Sequence, residues 1–510
     1  MRVVDLDPAA FPGVWNNGVP FNTSEQAFGT LEMNYDFQPG LTLTSVTGYY
    51  HIWQNAMING TETTYAAPPF PVQTNFTRRD FTQELRLTSD FSNSPVNFTL
   101  GAFYQDGKMH MRADLPTNQD YVALGIPLPP KIQDGYNDVG IQTISFFGQA
   151  LWDITSEIEL GAGTRWTKED RSDTETNTSA YLGIPLGIVP LAHPRIGSNK
   201  FSPEVTLTYT PTDDITLFTS AKQAYKSGSF STSVILGPGE DNSYGDERVR
   251  AVEAGIKSRF LNRRLEFNMA GYYNWFKGLQ VGANEVTNTG ALALRTLNAA
   301  SADIYGVDLD VAYLPPQVEG LRLNASVEWN HARYGTFNNA QCWGGQRIQD
   351  GCNLDFDPTT GTYTAQNLSG KTLMRAPQWS ANFGFDYETD VTDSMTLSIG
   401  SMTTYSSAYY TNVLLRSDMR QAGFFKTNAS ITLRGANDGW EFAVIGKNLN
   451  NELTSANCVN SNFQDGNFPT VVTGASYRGP GGVEELWCTI DSGREVWLRL
   501  TLKPLELLNR

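Results

Sequence analysis

Along residues 300–334 apolar and polar side chains alternate one by one. Tyr305, Val307, Leu309, Val311 and Tyr313 stand between Gly306, Asp308, Asp310 and Ala312. After the turn LPPQVEG, Leu323, Ala325, Val327 and Trp329 alternate with Asn324, Ser326 and Glu328. Successive side chains of a strand point to opposite faces, so the hairpin has one apolar face and one acidic or small face. Aromatic residues (Tyr305, Tyr313, Trp329) bound the apolar stretch. A half-buried hairpin of a soluble sandwich and a membrane-crossing pair of strands both fit this one unit. Its repetition along the chain separates them.

Seventeen alternating stretches follow one another: 28–37, 41–53, 79–90, 96–107, 141–154, 157–168, 200–211, 214–225, 248–260, 263–277, 301–314, 321–334, 376–388, 394–406, 424–435, 439–450 and 493–503. Soluble strands average about 5–6 residues, and a membrane crossing takes roughly 9–11. The lengths favour the membrane. The connections favour it more strongly, because they alternate between short and long. The short ones include 38–40, 91–95, 155–156, 212–213, 261–262 and 436–438; the long ones include 54–78, 108–140, 169–199, 226–247, 335–375 and 451–492. Turns on one side and loops on the other is the layout of a transmembrane antiparallel β-barrel, with periplasmic turns and extracellular loops.

Aromatic residues agree with that orientation. Tyr49, Tyr50, Trp53, Trp166, Tyr225, Tyr272, Tyr273 and Trp275 stand where strands approach the long loops; Trp152, Tyr209 and Tyr313 stand near the short turns. Two interfacial girdles account for these positions, whereas plain strand preference accounts only for the number. In the last stretch Val496, Leu498, Leu500 and Leu502 alternate with Trp497, Arg499, Thr501 and Lys503. A cation facing mid-membrane lipid costs about 2–4 kcal/mol, so Arg499 is expected to face the lumen. The same argument turns Glu84, Arg86, Asp308 and Asp310 inward.

The bulk numbers narrow the class further. The chain has 510 residues, too many for one ordinary soluble core. No apolar run reaches about 18 residues, which leaves strands as the only way across a membrane. A formal net charge of −16 speaks against a nucleic-acid partner, which would require a basic face. Scattered histidines (His51, His110, His193, His331), with no HExxH and no GxSxG, point away from an enzyme, and no cofactor or metal site is read. The four cysteines fall as two pairs in two long loops. Cys342–Cys352 and Cys458–Cys488 are read as disulfides on an oxidising face, with free thiols as the alternative; zinc spacing is absent.

Six further stretches carry a family resemblance: RDFTQELRLTSDF at 79–91 followed by FTLGAFYQ, the run 201–230, VEAGIKSRFLNRRLEFNMAGYYNWFKGLQV at 252–281, NAASADIYGVDLDVAY at 298–313, RAPQWSANFGFDYE at 375–388, and FAVIGKNLNNEL at 442–453. In register, they resemble the TonB-dependent outer-membrane receptors over nearly the whole chain. The resemblance implies a 22-stranded barrel filled by an N-terminal plug, with a TonB-binding motif before it. It also implies uptake of a scarce nutrient, such as a ferric siderophore or similar iron chelate, energised through TonB. Against that pattern the chain reads as a barrel portion, with seventeen of 22 strands and without plug, TonB-binding motif or signal peptide. Residues 1–27 are then an extracellular loop remnant, 28–503 an incomplete barrel and 504–510 a tail, with Lys503 and Pro504 where the family usually ends on an aromatic residue of the last strand.

Function is expected in the long loops, because loops on a rigid scaffold carry binding. LGIPL occurs at 124–128 and 182–186, so Leu124, Ile126, Leu182 and Ile184 are candidates for a lid or ligand wall, or for simple cover of the mouth. Within the first disulfide loop Trp343 and Arg347 offer stacking and charge for an anionic ligand, with a structural staple as the other reading. The expected partners are outer-membrane lipid, a small-molecule ligand of metal-chelate type, and the TonB complex through the plug. The alternatives are a passive porin-like channel and a non-functional truncated receptor.

Overall fold

The computed structural model describes residues 4–503 except 61–69, 124, 126–128, 180–183, 234, 287–291, 344–345, 359–361, 436–438 and 462–484. The short turn expected at 436–438 and the tail 504–510 lie outside the described residues. An 18-stranded sheet dominates. Setting aside the three-residue strand Gly187–Val189 leaves seventeen long strands, 18 − 1. They are β1 Phe21–Gln38, β2 Leu41–Asn59, β3 Pro71–Ser89, β4 Val96–Pro116, β5 Lys131–Asp153, β6 Ile158–Asn177, β7 Arg195–Thr212, β8 Ile215–Lys226 and β9 Glu247–Phe260. Then come β10 Leu265–Val286, β11 Leu292–Tyr313, β12 Leu321–Tyr334, β13 Trp379–Thr392, β14 Met395–Ser406, β15 Phe424–Arg434, β16 Trp440–Lys447 and β17 Glu495–Leu502. Each pairs antiparallel with the next, a meander from β1 to β17.

The register keeps the two faces apart. Leu309 of β11 lies opposite Met269 of β10 and Val327 of β12, while Asp310 lies opposite Asn268 and Ser326. A slip of one residue would exchange the faces, so an apolar face against lipid fixes the pairing. At the long-loop end of that apolar face the rings of Tyr273 and Tyr305 stack at 5.2 Å, Tyr273 and Trp275 at 4.4 Å, and Tyr305 and His331 at 4.7 Å. Tyr313 marks its other end, opposite Leu265 and Leu323. The turn after β1 depends on Gly40, whose φ is +79°. A Cβ there would stand 2.4 Å from the Asp90 carbonyl oxygen, so a side chain is excluded twice over.

Many strands run further than the alternation indicates at the long-loop end, whereas Trp379–Thr392 starts later and extends at its short-turn end, and Trp440–Lys447 and Glu495–Leu502 are shorter than read. β3 begins at Pro71 rather than 79, β5 at Lys131 rather than 141 and β11 at Leu292 rather than 301, while β10 continues to Val286 rather than 277. Beyond the bilayer both faces of a hairpin are wet, so nothing there imposes an apolar–polar period. β1 likewise begins at Phe21, inside the segment read as a loop remnant. The residues before it are folded: Leu6, Ala10, Phe11 and Val14 form a small core with Met57 at the long-loop end of β2. The Trp15 N–H donates to Gln73 Oε1 of β3 at 2.6 Å, and the Gln119 N–H donates to the Ala10 carbonyl at 2.8 Å.

Candidate functional site

The sheet presents a charged wall below and folded loops above. On the polar face Asp308 lies opposite Glu328, and the Ser326 hydroxyl donates to Asp310 at 2.6 Å. The ladder continues across β13 to β17. The Arg434 guanidinium donates to Glu388 at 2.8 Å, and Arg499 donates to Glu441 at 2.6 Å. Arg499 shares its face with Ala443 and stands apart from Leu498 and Leu500. Glu84 and Arg86 pair with each other at 3.4 Å and lie opposite Phe103 and Gly101. Beside them the Arg165 guanidinium sits 5.2 Å from the ring centres of Phe103 and of Phe147. Exposed ion pairs of this kind contribute about 0–1 kcal/mol each, so they make a polar surface more than they hold it together.

At the long-loop end the acids are held in two different ways. Asp134 accepts from Nε and Nη2 of Arg112, at 3.1 and 3.2 Å, and Lys131 bridges Asp134 and Asp114 at 2.7 and 3.0 Å. Asp173 and Glu175, two residues apart on one face of β6, have amides for partners instead. They lie well past Trp166, beyond the roughly 9–11 residues that cross a bilayer. Burial pushes the Glu175 carboxyl up to about 8, and the hydrogen bonds from the Leu236 N–H and the Asn137 amide only partly offset it.

Both disulfides form as the cysteine spacing indicated, Cys342–Cys352 and Cys458–Cys488. The first closes a three-stranded loop sheet of Ala340–Gln341, Cys352–Asp357 and Thr362–Gln366. The second joins directly opposed residues of Ser455–Ser461 and Glu485–Ile490. Inside the first loop Arg347 is engaged by Asp350, two N–H donors on its two carboxylate oxygens at 2.7 and 3.2 Å. The Trp343 N–H is taken by Gln346. Ile184 is buried against Val189 and Ile235. Leu124, Ile126 and Leu182 lie outside the described residues.

Contacts that the sequence reading missed tie the loops to each other. Arg375 donates to the Ala456 carbonyl at 2.7 Å and to Asn457 at 3.2 Å. Tyr409 donates to the Ser455 carbonyl and Asn412 to the Cys458 carbonyl, each at 3.0 Å. Arg375 opens the RAPQW stretch, whose pattern marked a strand start and said nothing of a partner some eighty residues on. Among the described residues no three His, Cys, Asp or Glu side chains gather to hold a metal.

Replacing Cys342 and Cys352 by serine is expected to weaken this loop by about 2–3 kcal/mol, from the entropy of closing a segment with a sequence separation of 10. Limited proteolysis should then cut within 342–366 several times faster, with the strands still protected. Unchanged cleavage would show that the loop sheet holds by itself.

Residues 4–458 match the family described as TonB dependent receptor-like, beta-barrel. Among curated proteins none matches the chain. The fold is similar to the ferric yersiniabactin uptake receptor FyuA from Yersinia pestis, at 14% identity and TM-score 0.70, covering 94% of this chain and 61% of that one. It is similar to the siderophore receptor PiuA from Acinetobacter baumannii, at 15% identity and TM-score 0.66, covering 94% and 64%. A copper transporter, OprC, is similar at 14% identity and TM-score 0.63, covering 94% and 65%. The chain thus spans less than two thirds of the length of these structures.

Proposed function

The chain belongs to the TonB-dependent receptors, whose β-barrel its residues 4–458 match, and from that premise we propose that it forms the barrel part of a nutrient importer. Its location is the bacterial outer membrane. The cargo in this reading is an iron chelate of siderophore class, and TonB supplies the energy through a plug domain. The polar face from Glu84 and Arg86 round to Arg499 lines the lumen, and the cross-tied loops form the mouth that meets the ligand. One observation carries this reading: a charged wall continuous over many strands, opposite an apolar face bounded by aromatics. An aqueous or plug-filled interior suits such a wall, and an apolar core does not. Two of the similar structures are a ferric yersiniabactin uptake receptor and a siderophore receptor, which supports iron over other cargo.

The test is deletion of the gene at its native locus under iron limitation, with uptake of a panel of ⁵⁵Fe chelates. Deletion should abolish uptake of at least one chelate, and inactivating TonB should abolish the same uptake. Uptake that persists without TonB would mean a passive channel. Loss of copper uptake with all iron chelates unaffected would keep the importer and overturn the cargo class.

A further inference from the structure

Glu175 and Asp173 are 0% and 2% exposed, and Asn137 and Asn242 beside them are 1% exposed. Four segments meet here: β5, β6, and the two arms of the loop between β8 and β9. Asp173 Oδ2 accepts from the amides of Asn137 at 2.8 Å and Asn242 at 2.7 Å. Glu175 Oε1 accepts from the Leu236 N–H at 2.9 Å, and Oε2 from Asn137 at 3.4 Å. Two buried oxygens are left over: Asp173 Oδ1 and Asn242 Oδ1 have no hydrogen-bond donor. The charged side chains acting on the pair are acids too, Asp138 on Asp173 and Glu240 on Glu175. Asp134, on the adjacent strand β5, differs in having Arg112 and Lys131 as partners.

We propose that this cluster is a binding site for one hard divalent cation of the calcium class, which latches the loop at 229–244 onto the polar face of β5 and β6. Buried acceptors without donors call for something that supplies positive charge. A proton shared by the carboxylates would neutralise Asp173 or Glu175, yet it would leave the carboxamide oxygen of Asn242 unmatched. A cation collects both leftover oxygens at once. Only oxygens are offered, two carboxylates balance a charge of two, and irregular side-chain oxygens suit calcium, whereas magnesium demands near-octahedral geometry and retains waters. The loop brings its own apolar cover: Phe230 packs on Val139 and Ile141, and Ile235 on Ile184 and Val189. This assignment stands apart from the identity of any transported cargo.

The experiment is calcium titration by calorimetry of the detergent-solubilised protein after chelator treatment, with magnesium as comparison. One calcium ion per chain is expected, bound more tightly than magnesium. Asp173→Asn and Glu175→Gln should each weaken it at least tenfold. Asn242→Asp, which adds a third carboxylate without changing shape, should tighten it several-fold and slow proteolysis of 229–244 in calcium. The site is overturned by absence of saturable calcium binding to the unmodified protein, by binding indifferent to all three substitutions, or by an Asn242→Asp protein that binds calcium less well. The last result would mark a cluster held by protons. Folding of each variant is read separately from heat-dependent gel mobility, and the unmodified protein's titration decides the matter even if a variant fails to fold.

Discussion

Leu309→Arg is expected to lower the stability of the lipid-embedded protein by about 2–4 kcal/mol, while Asp310→Arg, one residue on, costs well under half of that. Leu309 lies midway between Tyr305 and Tyr313, and its neighbours across β10 and β12 are Met269 and Val327. An arginine there meets hydrocarbon and has no partner within reach. Asp310 lies opposite Asn268 and Ser326 on the other face, where an arginine meets polar side chains and Glu-rich surroundings. Urea titration of refolding into vesicles, followed by heat-dependent gel mobility, compares the two. The face assignment fails if the penalties are equal or if Asp310→Arg is the worse.

Phe11→Ala should release the segment before β1. Phe11 is 0% exposed and packs with Leu6, Val14 and Met57. Truncating a buried phenylalanine typically costs about 3–5 kcal/mol, which is large against what holds a segment of this size. The Leu6 N–H, bonded to the Gly18 carbonyl within the segment, and the Trp15 N–H, bonded to Gln73 Oε1 of β3, should then lose protection from hydrogen exchange. The strand amides of β2 and β3 should keep theirs, because the sheet is paired independently of the segment. Retained protection at Leu6 and Trp15 would show that Phe11 does not hold the segment.

The strands that cross the membrane were legible because lipid makes a demand on every second residue. Tyr305 to Tyr313 and Val496 to Leu502 satisfy that demand and could be read directly. The same demand lapses past the girdle, so the outer ends of β3, β5, β10 and β11 were underestimated and β1 was begun late. Cysteine pairing was legible because each pair sits within one loop, Cys342 with Cys352 and Cys458 with Cys488. The loop-to-loop ties were not. Arg375 and Ala456 carry no mark of each other in the chain, and neither do Asn242 and Asp173. Arg347 was read as offering charge for a ligand or as part of a structural staple, and in the structure it pairs with Asp350, three residues on.

The sequence by itself determined the strand order, the two faces, the side on which the loops lie and the family. The first three follow from a period of two imposed by a bilayer and from connection length, both of which are local, and the family follows from the resemblance of six stretches to known receptors. Only the tertiary structure decided what the loops do. It set Phe11 against Met57, Ile235 against Ile184, and Asn242 against Asp173, contacts between segments far apart in the chain. Such contacts depend on which loops stand side by side once the sheet has formed, and no periodicity along the chain encodes that.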